Sequence, residues 1–323
     1  MLQEKKYNYC FDFIKGIACI FVVLMHCEVP GVAGVVIQSI SRFCVPFFFM
    51  ISGYYSYNTD EKCTLKRIKK NAVLTFGASL LYIFFAIFQS CMGLEISFHI
   101  GKRSLLVWLI FNEPFIIAGQ MWFLFALIYV YILYYFIQKL HLEKIAYMLI
   151  PVLIIVYITL AQGMHVAGIF VPNFIYRNFL IEGFPFFMLG NLMHKKEETW
   201  KVDNKIILCI IALTTVMCIG ERAILGRDFG VNICTFVQVT AIFMYGINNG
   251  ERHSGRIQRI GKKYSMYVYI LHPFIWHTLE MVYSGLNISH NIVAMYIMPL
   301  LVIILSLLLS ALCYKIFRSK RKM

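Results

Sequence analysis

Long apolar segments separated by short polar ones run through the whole chain. Each is close to the roughly 20 residues that a helix needs to cross a bilayer. We therefore predict an all-α, polytopic membrane protein of about ten transmembrane helices, forming a single domain over residues 1–323. The predicted spans are residues 10–29, 35–57, 72–93, 119–138, 145–162, 176–193, 205–220, 230–247, 265–284 and 292–316.

The stretch 94–118 departs from this pattern because glycine and proline interrupt it. Its apolar piece at 104–111 is too short to cross the membrane, so we expect a re-entrant or interfacial segment.

Basic residues lie mostly in alternate connections between the spans. If the N-terminus is cytoplasmic, most of the 30 lysines and arginines fall on the cytoplasmic side, as the positive-inside rule requires. We predict that both termini are cytoplasmic. The net charge of +14 then reflects topology and contacts with anionic membrane lipid, and does not indicate nucleic-acid binding.

Composition agrees with a membrane protein, since 60% of residues are hydrophobic and only 14% are charged. Soluble domains have about 25% charged residues. The ten cysteines are scattered without a C-x-x-C pair, so we expect neither a metal site nor a disulfide framework. No small-residue cleavage site follows the first apolar segment, and we expect no removed signal peptide.

The first span carries three polar side chains on one face. At about 100° per residue, Asp12, Lys15 and His26 share one helical stripe. Asp or Lys at a helix centre in the membrane costs roughly 2.5–3.5 kcal/mol, so we expect this stripe to face protein. Alone, Asp12 and Lys15 could snorkel to water, and His26 could be satisfied at the interface. Their coincidence on one face favours a functional site.

Polar residues also interrupt later spans, and each has a structural alternative. Trp122 could anchor the helix at the interface, and Gly53 could allow close helix packing. Arg177 could be interfacial, while Glu182 favours a function or an ion pair with Arg177. His272 could satisfy the kink made by the proline that follows it. The positions singled out are Arg42, Ser52, Gly53, Tyr54, Gln120, Trp122, Arg177, Glu182 and His272.

Four motifs in chain order resemble the acyltransferase-3 family of integral membrane acyltransferases. In that family the first helix has an aspartate, an arginine-glycine pair and a histidine, with ten residues between the arginine and the histidine. Here Lys15-Gly16 stands in place of that pair, with His26 at the family spacing. RFCVPFFFMISGYY resembles the family's Ser-Gly motif, and MWFLFAL and SMYVYILHPF are also similar. The chain looks closest to the stand-alone Gram-positive type, which is similar to the membrane half of vancomycin-resistance serine racemases.

The resemblance implies transfer of an acyl group, in our assignment acetyl, from acetyl-CoA to a hydroxyl of a cell-envelope glycan or related acceptor. The enzyme would work in a bacterial cytoplasmic membrane and need no metal. It implies His26 as general base, and we add Asp12 and Glu182 as catalytic residues. We assign coenzyme contacts to Lys15, Arg42, Ser52, Gly53, Tyr54 and Trp122, and acceptor contacts to Gln120, Arg177 and His272.

Lys15 has two roles open to it. It lies about 16 Å from His26 along the helix, so it could meet a coenzyme phosphate, or it could pair with Asp12. Lysine offers a point charge where arginine offers a planar fork.

Two other functions stay open. One is a small-molecule permease, for example for serine, on the same fold. The other is a regulatory partner with a degenerate site. The lysine at position 15 weakens catalysis, and the lack of an internal repeat weakens transport. The acceptor stays open, as does a homo-oligomeric state.

Overall fold

The structure is a computed structural model that describes residues 7–92, 102–113, 119–252 and 255–320. Within these ranges, helices are the only regular secondary structure. The α-helices are α1 Tyr9–His26, α2 Gly31–Ile40, α3 Cys44–Tyr54, α4 Glu61–Cys91, α5 Lys102–Phe111, α6 Trp122–Lys139, α7 Glu143–Ile158, α8 Met164–Val166, α9 Asn173–Tyr176, α10 Phe184–Lys196, α11 Asn204–Leu225, α12 Ile233–Asn248, α13 Gly255–Lys263, α14 Ser265–Gly285 and α15 Ile292–Lys320. There are 3₁₀ turns at Ser41–Phe43 and Gly119–Met121 and π-helical turns at Thr159–Gly163 and Phe179–Gly183.

Seven helical stretches of the described chain are long and apolar enough to cross a membrane. They are Tyr9–His26, Gly31–Tyr54, Glu61–Cys91, Gly119–Lys139, Glu143–Val166, Asn204–Leu225 and Ile292–Ile316. The other predicted spans correspond to residues 179–196, to α12 and to α14, which are shorter or more polar. The all-α, polytopic class is confirmed.

The predicted stretch 94–118 is described only in part. Its short apolar piece lies in α5, a helix of ten residues that is too short to span. Residues 94–101 and 114–118 lie outside the described residues.

Two polar connections that the predicted spans leave as loops, within 58–71 and 248–264, are helical over most of their described length, and this corrects the prediction. Helix α4 begins at Glu61, because Asp60 accepts the N–H of Cys63 at 2.8 Å and caps it. The Lys- and Arg-rich residues that follow favour helix. The basic segment before α14 likewise forms α13. Both helices carry too much charge to be found from apolar content alone.

The chain forms two compact units. The first unit comprises Met1–Cys44 and Lys201–Met323, and contains α1, α2 and α11 to α15. The second unit is Val45–Trp200 and contains nearly all of α3, together with α4 to α10.

In the first unit, α13 crosses α1 with their backbones in contact. A Cβ atom on Gly16 would overlap the carbonyl oxygen of Ile257. A Cβ atom on Gly261 would overlap the carbonyl oxygen of Asp12. Glycine at both positions therefore lets α13 lie against the turn of α1 that carries Asp12 and Lys15.

In the second unit, α3 and α10 meet in the same way. A Cβ atom on Gly53 would overlap the carbonyl oxygen of Phe187, and one on Gly190 would overlap that of Met50. Small residues allow this close approach, which supplies much of the packing between membrane helices.

The buried side chain of Asn191 joins the helices around this crossing. Its Nδ2 donates to the carbonyl oxygen of Gly53 and to the Tyr134 hydroxyl, both at 3.2 Å. Its Oδ1 accepts the Tyr147 hydroxyl at 2.6 Å. One amide thus connects α10 with α3, α6 and α7, and a satisfied buried network of this kind favours one packing arrangement.

We predict that Gly53→Ala and Gly190→Ala each lower the stability of the purified protein by about 1–3 kcal/mol, because the added methyl group overpacks the crossing. Thermal unfolding in detergent measures this. Gly77→Ala is the matched control, since no atom lies within 4 Å of a Cβ at that helical position. Equal melting temperatures for all three variants would contradict the prediction.

Candidate active site

The first turns of α1 place a carboxylate and an ammonium together. Asn8 caps the helix, and its side chain accepts the N–H of Phe11 at 2.8 Å. Asp12 is buried, and the Nζ of Lys15 lies 2.5 Å from its Oδ1. The Tyr7 hydroxyl donates to Oδ2 of the same carboxylate. Asp12 is therefore held by a cation and a hydroxyl, as a buried charge requires.

The other end of α1 brings two histidines together. His26, the last residue of α1, stacks on His272 of α14, with ring centroids 5.5 Å apart and planes inclined by 28°. His26 is partly exposed, whereas His272 is 1% exposed.

His272 has a defined backbone partner. Its Nδ1 lies 3.0 Å from the carbonyl oxygen of Val268, one turn earlier in α14. The next residue, Pro273, supplies no N–H to the helix at this turn. The carbonyl oxygen that would have received this N–H is that of Tyr269, so the contact of Nδ1 with Val268 does not itself replace the missing bond, and the role of His272 at the kink stays a prediction. The Nε2 atom is buried and has no hydrogen-bond partner among the described residues.

Arg42 lies in the 3₁₀ turn between α2 and α3 and faces a buried carboxylate. Its Nη2 is 3.4 Å from Oδ2 of Asp228, and the Nε of Arg222 is 3.1 Å from the same oxygen. Asp228 lies in the α11–α12 connection.

The Arg42 cluster and the Asp12–Lys15 pair lie near opposite ends of α12. The N–H of Tyr9, at the start of α1, donates to the carbonyl oxygen of Gly250, just past the end of α12. Asp228 precedes the start of α12, a helix of 16 residues. Arg42 therefore lies at the far end of α12 from Asp12.

In the second unit, Ser52, Gly53 and Tyr54 are engaged in packing. The Ser52 hydroxyl donates to the carbonyl oxygen of Phe48 at 2.9 Å, and Gly53 makes the crossing with α10. The Tyr54 hydroxyl donates to Glu197 at 2.5 Å, and the Tyr54 ring stacks on His194 at 4.2 Å.

Trp122, Arg177 and Glu113 form a second cluster of this unit. The Arg177 guanidinium lies 5.3 Å from the centroid of the buried Trp122 ring and 3.6 Å from Oε1 of Glu113. Burial raises the pKa of the Glu113 carboxyl, and the charge of Arg177 opposes that rise. Gln120 lies in the 3₁₀ turn just before Trp122.

Glu182 is 1% exposed and lies in the π-helical turn Phe179–Gly183. Asn178 begins this turn, and its Oδ1 accepts the N–H groups of Leu180 and Ile181 at 3.0 Å. Turns of this type occur often at functional sites because the extra residue redirects side chains.

Residues 8–315 match the family model described as an acyltransferase domain, acyltransferase-3. The chain belongs to the acyltransferase-3 family. No curated protein and no solved structure matches it. It is a multi-pass membrane acyltransferase.

Several predicted residues of this acyltransferase come together within each unit. In the first unit they are Asp12 with Lys15 and His26 with His272. In the second, Trp122 meets Arg177. The assigned roles of all the predicted site residues stay predictions. Among the described residues, no three His, Cys, Asp or Glu side chains come close enough to hold a metal ion.

Several partners were not predicted from the sequence. Tyr7 lies only five residues before Asp12, whereas the others come from distant parts of the chain: Glu113, Asn191, Arg222, Asp228 and the basic helix α13. Helix α13 could have been found, because its lysines and arginines recur at helical spacing.

We predict that Lys15→Met destabilises the protein by about 2 kcal/mol, because it leaves the buried Asp12 carboxylate without its cation. This is below the roughly 3–5 kcal/mol of a fully buried pair, since the Lys15 side chain is 21% exposed. Adding Asp12→Asn should recover part of the loss, and thermal unfolding of single and double variants measures the coupling.

The exposed Lys144→Met is the control for loss of a lysine charge. If the double variant is destabilised by the sum of its single changes, the two groups are not coupled.

Proposed function

We propose that this acyltransferase moves an acetyl group from acetyl-CoA to a hydroxyl of a cell-envelope glycan, at the cytoplasmic membrane of a bacterium. His26 is the general base. The observation that carries the proposal is the stacked pair of His26 and His272 in a chain of the acyltransferase-3 family. Imidazole suits this role because its unperturbed pKa lies near neutral pH.

The transfer needs one proton acceptor at the hydroxyl. The hydroxyl oxygen attacks the thioester carbonyl carbon while the imidazole of His26 takes the hydroxyl proton. The bond between that carbon and the coenzyme sulfur then breaks. The proton passes from the imidazole to the sulfur, so the products are the acetyl ester and coenzyme A.

Cations for the coenzyme phosphates are available near Lys15. The Nζ of Lys262 lies 4.3 Å from the ring centroid of Tyr7, whose hydroxyl binds Asp12. Arg256, Arg259 and Lys262 of α13 are exposed, as phosphate binding requires. Lys15 is paired with Asp12, so α13 supplies the additional charge. This end of α1 carries the N-terminus, which we place on the cytoplasmic side.

Other roles stay part of the proposal on the strength of the resemblance. Arg42, Ser52, Gly53, Tyr54 and Trp122 are proposed coenzyme contacts. Gln120 and Arg177 are proposed acceptor contacts. Glu182 and Asp12 are proposed to support catalysis. The membrane lipid around the basic helix is a further proposed partner.

We predict that His26→Gln lowers acetyl transfer about 100-fold or more, because general base catalysis is lost. Bacterial membranes containing the protein are given acetyl-CoA labelled in its acetyl group, and label in the envelope fraction is counted. His290→Gln is the matched control, since His290 is exposed in the α14–α15 connection.

Each outcome has a clear consequence. Transfer by the wild type and by His290→Gln, but not by folded His26→Gln, supports the proposal. Undiminished transfer by His26→Gln contradicts the role of His26. No transfer by folded wild type contradicts the proposed acetyl transfer and favours the permease, which serine uptake into proteoliposomes would then test.

A further inference from the structure

We propose that His272 binds the acceptor through its Nε2 atom, which accepts a hydrogen bond from a second donor group of that molecule. This inference rests on the proposed function. It adds the atom that makes the contact and the requirement for a second donor group on the acceptor.

The backbone sets the hydrogen-bonding state of the His272 ring. Its Nδ1 lies 3.0 Å from the carbonyl oxygen of Val268, and a carbonyl oxygen can only accept. Nδ1 therefore carries the hydrogen of the neutral ring. Nε2 is left with a lone pair, so it is an acceptor.

This acceptor atom is buried, yet no described residue donates to it. Buried polar atoms are paired in nearly all proteins, so an exception calls for an explanation. The kink at Pro273 does not provide one, because the carbonyl oxygen to which Pro273 supplies no N–H is that of Tyr269, and a carbonyl oxygen cannot donate to Nε2. A ligand that donates to Nε2 does provide one.

The partner ring places this atom next to the proposed base. His26 and His272 stack face to face, with centroids 5.5 Å apart. Nitrogen atoms lie on the edges of an imidazole ring, so the stack itself uses none of them. The buried Nε2 of His272 therefore lies on a ring that stacks against the proposed base.

The chemistry of the acceptor follows from this division of roles. The proton of the reacting hydroxyl goes to His26. The group that donates to His272 must be a different one, a second hydroxyl or an N–H. The acceptor is therefore a polyol such as a sugar, or an amino alcohol. A simple alcohol with one hydroxyl cannot make both contacts.

Two substitutions separate this role from a structural one. In His272→Asn the side-chain amide can still donate to the carbonyl oxygen of Val268, but nothing replaces Nε2. In His272→Gln the longer side chain can place an acceptor near Nε2, but the backbone contact is lost. His277→Asn is the control on the same helix, where the ring contacts Glu280 at 3.0 Å.

The experiment uses the labelled acetyl-CoA assay in membranes and also measures the release of free coenzyme A. We expect His272→Asn to keep the wild-type melting temperature and to transfer acetyl groups about tenfold more slowly than the wild type. Release of coenzyme A should fall less, because water replaces the badly held acceptor. We expect His272→Gln to retain more transfer than His272→Asn, and His277→Asn to match the wild type.

Two results would overturn the inference while leaving the acyltransferase intact. One is a His272→Asn variant that transfers acetyl groups as fast as an active wild type. The other is a loss of transfer that follows lost thermal stability in both His272 variants, with release of coenzyme A reduced in proportion. A folded wild type without any transfer would instead overturn the proposed function, and this inference with it.

Discussion

Contact between helix backbones at glycine is the constraint on which both units depend. Inside a membrane there is little hydrophobic drive to bring helices together, so close packing has to do so. Gly16 and Gly261 bring α13 against α1, and Gly53 and Gly190 bring α3 against α10. A side chain at any of these positions would force the helices apart.

The crossing in the first unit also positions chemistry. It sets a helix rich in arginine and lysine beside the turn of α1 that carries Lys15. Gly16 makes this backbone contact, and the residue before it, Lys15, carries the charge beside the basic helix. The Lys15-Gly16 pair combines a charge held by Asp12 with a site of backbone contact.

A contact could be predicted from the sequence only when its two residues lie close together along the chain. The Asp12–Lys15 pair was predictable because residues three apart share a helix face. The spans at 119–138 and 292–316 were predictable from their apolar residues alone, since α6 and α15 have few others. Local patterns were sufficient in these places.

Contacts between distant segments could not be predicted in this way. Neither the stacking of His26 on His272 nor the contact of Arg42 with Asp228 follows from any local spacing, because each depends on which helices pack together. The predicted span at 72–93 begins later than helix α4, which starts at Glu61. The first turns of α4 are charged, and its cap Asp60 is a residue type that is also common in loops. The sequence therefore predicts where the helices lie along the chain better than it predicts which helices pack against each other.

The lysine at position 15 is explained by its partner. The Nζ of Lys15 approaches one carboxylate oxygen of Asp12, while the Tyr7 hydroxyl takes the other. A planar fork would compete with Tyr7 for that second oxygen, whereas a point charge does not. Lysine is therefore the better match to this carboxylate as it is held here. The replacement does not argue against catalysis, since the imidazoles at the other end of α1 do not contact this pair.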